Sequence, residues 1–126
     1  MYLQALMDGM SAKWQRERAE TQMTLGELIA ALEAIPPSAM VANLDNKHSY
    51  RGYYSDLAFE LLDGTRPAAE LLKDCKEAMG QVFQGYKGGE FVMGSLTPLW
   101  VANYGCSGRK IMSFLEDGGI ETQEDD

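Results

Sequence analysis

Histidine is almost missing from this chain of 126 residues, which holds only His48, and cysteine is scarce, with Cys75 and Cys106 far apart. A structural zinc site takes four Cys or His ligands at close spacing, which three scattered residues do not supply. Two reduced thiols are expected instead, with Cys75 packed on a helix face. No apolar run approaches the roughly 20 residues that a membrane helix requires. The opening Met1 to Asp8 has no basic start and no long apolar stretch, so it does not read as a signal peptide and the expected compartment is the cytoplasm. Base is short as well: a formal charge of -8 excludes non-specific nucleic-acid binding, because a phosphate backbone demands Lys and Arg.

Catalytic apparatus is equally thin. A hydrolase nucleophile wants a base beside it and an acid to orient that base. His48 and Ser49 are sequence neighbours, and neighbours on a strand point to opposite faces, so they are not expected to form such a pair. Asp45, Asp56, Glu60 and Glu90 show no recognised metal or glycosidic spacing, and neither a Walker loop nor a G-x-G-x-x-G in strand-to-helix context is present. The expectation is a protein without catalytic residues, metal or cofactor.

What is there suits one soluble globular domain. Hydrophobic residues make up 45% and charged residues 24%, which places the chain outside the disordered and membrane classes. Leu3, Leu6, Met7, Met10 and Trp14 form one helical stripe, with Lys13, Arg16, Glu17 and Arg18 on the other face. This extension, residues 1–22, packs either on the chain's own core or on a neighbouring subunit, and the stripe's need for a partner surface favours a homo-oligomer. Thr24-Leu25-Gly26-Glu27 reads as a capping box that opens a helix through Leu28, Ile29, Leu32 and Ile35, stopped by Pro36-Pro37. Met40 to Leu44 has strand length and ends at an Asp45-Asn46 turn. Ser49 to Leu62 alternates as a half-buried strand, with Leu57, Phe59 and Leu61 on one face, and Asp63-Gly64 turns the chain. Thr65-Arg66-Pro67 opens a second helix whose stripe, Ala68, Leu71, Leu72, Cys75, Met79, Val82 and Phe83, runs to a Gly85 cap.

Tyr86 to Gly89 is then a loop, Glu90 to Met93 a strand, Leu99 to Tyr104 a central strand and Lys110 to Leu115 a last strand. Of the -8 charge, -6 lies in residues 116–126, which contain no base, so that tail is expected to be disordered and the body carries -2. The expected fold is α+β: an antiparallel β-sheet of about five strands with two helices on one face, formed by residues 23–115 behind the N-terminal helix.

One constellation suits binding. Arg51 offers a planar fork for phosphate or carboxylate and stacks on aromatic faces. Ser49, Tyr50, Tyr53 and Tyr54 flank it. Lys87 with Gly88 and Gly89 could cradle an anion through backbone amides. Trp100, Asn103 and Tyr104 offer a ring platform and an amide able to read a base edge. Together these are the parts of a site for a nucleotide or similar aromatic anion. The competing reading puts Tyr54 and Trp100 in the core, makes Gly88-Gly89 a hairpin turn and pairs Arg51 with Asp56 or Glu60.

The blocks Thr24-Leu25-Gly26-Glu27-Leu28, Ser49-Tyr50-Arg51-Gly52-Tyr53-Tyr54, Gly85-Tyr86-Lys87-Gly88-Gly89-Glu90-Phe91, and Thr97-Pro98 with Trp100-Val101-Ala102-Asn103-Tyr104-Gly105 occur in that order. Over residues 23 to 115 they resemble a family of small uncharacterised bacteriophage and prophage proteins, which has no activity to carry over. The resemblance implies an accessory protein acting in the host cytoplasm, with counter-defence as the expected role. Two mechanisms follow. In one, the protein sequesters a small nucleotide-like ligand, with Arg51 on the phosphate. In the other, it inhibits a host defence protein by contact through its acidic surface.

Overall fold

The computed structural model describes residues 15–124. The stripe from Leu3 to Trp14 and the final Asp125 and Asp126 lie outside the described residues. Helix α1 occupies 15–21, followed by α2 (Leu25–Glu33), β1 (Met40–Ser49), β2 (Leu57–Pro67), α3 (Ala68–Ala78), β3 (Val82–Gln84), β4 (Glu90–Val92), β5 (Leu99–Val101), β6 (Arg109–Phe114) and β7 (Ile120–Glu124). Five strands form one sheet in the order β1-β2-β5-β6-β7, and β3 and β4 form a separate hairpin. The architecture is α+β, as the patterning predicts.

The start of α2 is set locally. The Thr24 hydroxyl accepts from the Glu27 amide at 3.3 Å while the Thr24 amide donates to the Glu27 carboxylate at 3.0 Å, so two orphan donors of the first turn are satisfied. Leu25, Leu28 and Leu32 of this helix, with Ala68, Leu71, Cys75 and Ala78 of α3, pack on Val41, Leu44, Leu57, Phe59, Leu99 and Ile111 of the sheet. Arg66 at the end of β2 holds α3 in place through Asp74 at 3.0 Å and the Leu44 carbonyl at 2.7 Å. Alternation along β2 and β5 sends Ala58 and Trp100 to a second, smaller cluster, where Tyr50 and Ala102 join them.

Several expectations are corrected. The sheet is mixed, because β2 and β5 run parallel. The segment between them, α3 plus the β3–β4 hairpin, is the long crossover that a parallel pair requires. Helix α3 stops at Ala78 instead of running to Gly85: Met79 is extended, Gly80 takes a φ of 78°, and Val82 and Phe83 belong to β3. An apolar pair at the end of a helical stripe fits strand and helix periodicity alike. The Asp45-Asn46 pair makes a bulge inside β1, with Asn46 at a φ of 52°, and β2 runs through Asp63-Gly64 without reversing. Residues 50–56 form a loop, so the strand expected from Ser49 begins only at Leu57.

The acidic tail is also ordered where it is described. Gly118-Gly119 turns β6 into β7, with the Leu115 amide donating to the Gly119 carbonyl at 2.8 Å. Glu124 pairs with Arg109 at 3.3 Å, Glu121 accepts from Ser113 at 3.3 Å, and Ile120 packs against the core. The same turn reaches across to the first strand, where the Ala42 amide donates to the Gly118 carbonyl at 2.8 Å. Gly118 is buried at a φ of 89°, and a Cβ there would stand 2.4 Å from the Met40 carbonyl oxygen. The sheet therefore curls until its last hairpin meets its first strand.

Candidate functional site

The loop from Tyr50 to Asp56 is fastened at both ends. Its backbone closes on itself, Tyr50 amide to Asp56 carbonyl and Asp56 amide to Tyr53 carbonyl, each at 2.9 Å. Tyr50 folds inward and stacks on Trp100 with ring centroids 4.2 Å apart, and its hydroxyl accepts from the Gly108 amide at 3.0 Å. Gly52 is required by that inward fold, since a Cβ there would lie 2.7 Å from the Tyr50 ring.

Asp56 is the hub. Its side chain is fully buried and accepts from the Trp100 indole at 2.9 Å and from Arg18 of α1 through Nε at 2.7 Å and Nη2 at 2.9 Å. Burial pushes the Asp56 carboxyl above its ordinary range, and the Arg18 and Trp100 hydrogen bonds with the Arg18 charge offset part of that rise. Arg18 also lies 3.9 Å above the Tyr53 ring centroid, and Gln15 donates to the Ser55 carbonyl at 3.0 Å. Helix α1 thus clamps the loop onto the chain's own fold.

Beside the loop runs a groove of about 440 Å³ lined by Arg18, Arg51, Tyr53, Tyr54, Ser55 and Phe91. Tyr54 meets Phe91 of β4 edge to face at 5.8 Å. The hairpin comes this close because Gly85 has no side chain: a Cβ there would lie 2.9 Å from the Tyr54 ring. Arg51 is exposed, with its guanidinium 5.2 Å from the Tyr86 ring centroid, and forms no ion pair among the described residues. Asp56 and Glu60, the carboxylates expected to compete for it, are engaged elsewhere. Glu60 accepts from Asn46 at 2.8 Å and from the Tyr104 amide at 3.3 Å, and these hydrogen bonds hold its carboxyl below the usual range.

Of the sequence-predicted site residues, the structure brings Arg51, Tyr53 and Tyr54 to the groove. Ser49 is buried and donates to the Tyr54 carbonyl, so it braces the loop from within. Tyr50 and Trp100 are 2% and 0% exposed and stack on each other, which corrects the expectation that Tyr50 contacts a ligand beside Arg51 and that Trp100 is a platform for a ligand ring. Lys87, Gly88 and Gly89 form the exposed hairpin turn between β3 and β4 and are not among the groove's lining residues. The Gly88 amide is spent on the Gly85 carbonyl at 2.9 Å, and Gly88 and Gly89 take φ values of 102° and 85°. Asn103 and Tyr104 sit in the exposed β5–β6 connection, where Tyr104 meets Tyr86 at 6.0 Å and His48 at 5.6 Å, both edge to face.

His48 is buried on β1, with Nδ1 2.6 Å from the Asn46 carbonyl oxygen. Cys75 is fully buried on α3, where burial pushes its thiol up to about 12, and Cys106 is exposed. Among the described residues no group of three or more His, Cys, Asp and Glu side chains could hold a metal ion, and no helix is long and apolar enough to cross a membrane. Sequence reasoning missed Arg18, Ser55 and Phe91 as groove residues. Arg18 and Phe91 come from elements remote from the loop in sequence, and no local pattern joins them to it. No family model, curated protein or solved structure matches the chain.

Proposed function

We propose that the protein binds a small aromatic anion of nucleotide type in the groove beside the Tyr50–Asp56 loop and holds it without turning it over. The observation that carries this reading is the Arg51 guanidinium, exposed and without a carboxylate partner among the described residues, at an aromatic-lined groove. Tyr54 and Phe91 offer apolar ring surface to a base, and Arg51 a bidentate donor to a phosphate or carboxylate. Stacking contributes about 1–3 kcal/mol per base and a charged hydrogen bond about 1.5–3 kcal/mol, enough together for useful affinity in a preformed groove. With the resemblance to phage proteins, the role is sequestration of a host nucleotide signal by a phage accessory protein, with a homo-oligomer as the working form.

The test is native mass spectrometry of protein purified from a defence-activated host lysate, beside Arg51→Ala. A retained small mass with the ultraviolet absorbance of a nucleobase, absent from the variant, supports the reading. Wild-type protein that emerges empty, or carrying a host polypeptide, overturns it. The second reading, inhibition of a host enzyme by contact, draws on the ordered acidic hairpin β6–β7. Glu121→Gln with Glu124→Gln should weaken such contact and leave ligand retention intact.

A further inference from the structure

Two cations line the groove, and their situations differ. Arg18 is 14% exposed and bound through two nitrogens to the fully buried Asp56 carboxylate. That pair is neutral as a unit, and Arg18 is further held against the Tyr53 ring. Arg51 alone brings an uncommitted positive charge to the lining. The glycine turn adds no donor cradle, because the Gly88 amide is occupied within its own hairpin and Lys87 is not among the lining residues. The rest of the lining, Gly52, Tyr53, Tyr54, Ser55 and Phe91, carries no further cation. The volume, about 440 Å³, falls toward the small end of the range that encloses small-molecule ligands.

We infer that the groove takes one nucleotide-sized unit bearing a single negative charge, a phosphate diester or a carboxylate, and gains nothing from further phosphates. This rests on the nucleotide-type reading of the same groove. An anion clamped by one guanidinium is satisfied by its two-pronged donation. A second phosphate finds no second free cation in the lining, and the net charge of -8 works against it. Selection by charge count is then built into the Arg18–Asp56 pair, which removes from the groove one of the two charges that a polyphosphate would need.

The experiment is calorimetric titration of the full chain at fixed ionic strength with four probes in each of the adenosine and guanosine series: the nucleoside, its 5′-methyl phosphate diester, its 5′-monophosphate and its 5′-diphosphate. In the series that binds, the methyl diester is expected to bind about tenfold or more tighter than the nucleoside, the increment of one charge-assisted hydrogen bond. The diphosphate is expected to bind no more than about threefold tighter than the diester, since Coulomb attraction without a partner cation is absent. Arg51→Met should bring diester and nucleoside to the same affinity. A diphosphate that binds more than threefold tighter overturns the charge count and leaves the nucleotide reading standing. A nucleoside that binds as well as its diester overturns the anion contact. Absence of heat from every probe in both series removes the nucleotide reading, and this inference with it.

Discussion

Replacing Arg18 with alanine would strand the Asp56 carboxylate. It is fully buried and keeps the Trp100 indole as its other side-chain donor at 2.9 Å. Removing one partner of a buried pair costs about 3–5 kcal/mol, because the remaining charge stays desolvated. The lost contact of the guanidinium with the Tyr53 ring at 3.9 Å adds to the same side of the balance. For a domain of this length that cost corresponds to a fall in Tm of about 12–20 °C.

The penalty depends on pH in a direction fixed by Asp56. Its folded pKa is raised above the ordinary value of 3.8, first by burial. Such a group favours the fold most at pH below its unfolded pKa, and that contribution is lost as pH rises through the folded value. Without Arg18 the folded pKa climbs further, so the gap between variant and wild type should be widest near neutral pH and narrow as the pH is lowered and the stranded carboxyl takes up a proton. Urea denaturation of Arg18→Ala, Asp56→Asn and the double variant at neutral and at acid pH gives the cycle. The double variant should cost much less than the two single costs added, because neither group is left as an unpaired charge. A loss below about 1 kcal/mol at neutral pH, the range of an exposed ion pair, would refute the hub. So would a pH-independent loss.

Gly118→Ala should cost about 2–4 kcal/mol in urea denaturation, from a left-handed backbone and an overpacked contact with the Met40 carbonyl. Tyr50→Phe, which leaves the Gly108 amide without its 3.0 Å acceptor, should cost about 1–2 kcal/mol. Arg51→Ala, at an exposed position, should change stability by less than about 0.5 kcal/mol, so that any loss of ligand in that variant reports binding. A thiol reagent at pH ~8 should titrate one cysteine per folded chain, Cys106, and two only after denaturant, because Cys75 is buried with its thiol held up at about 12.

What the sequence disclosed was what neighbours in the chain decide. The capping box at Thr24, the proline opening of α3 at Pro67 and the shared core face of Leu57 and Phe59 each depend on residues a few positions apart, and each stands in the fold, whereas Leu61, expected on that same face, is exposed. The parallel pairing of β2 with β5 was hidden because it joins strands across a helix and a hairpin. The order in 116–124 was hidden because a run of carboxylates reads as solvated chain, whereas Arg109 and Ser113 of β6 give Thr122, Glu124 and Glu121 of β7 their partners. Within the candidate site, Arg51, Tyr53 and Tyr54 were legible as a cluster in one short stretch, although that stretch was expected to be a strand and is a loop. Tyr50 and Trp100 misled because a ring that stacks on a ligand and a ring that stacks on another ring have the same composition. Nothing in their spacing tells which occurs.

The contact between Ala42 and Gly118 bears on the order of events in folding. It ties the first strand to the last hairpin across a long stretch of sequence. Loop-closure entropy disfavours so distant a contact until the intervening strands have paired, so it is expected to form after the rate-limiting step. A contact absent from the transition state governs how fast the native state is lost and leaves the rate of its formation unchanged. Loosening this one hydrogen bond would therefore show in the unfolding limb of a chevron plot, and the molecule's persistence in time, more than its speed of assembly, depends on that last turn.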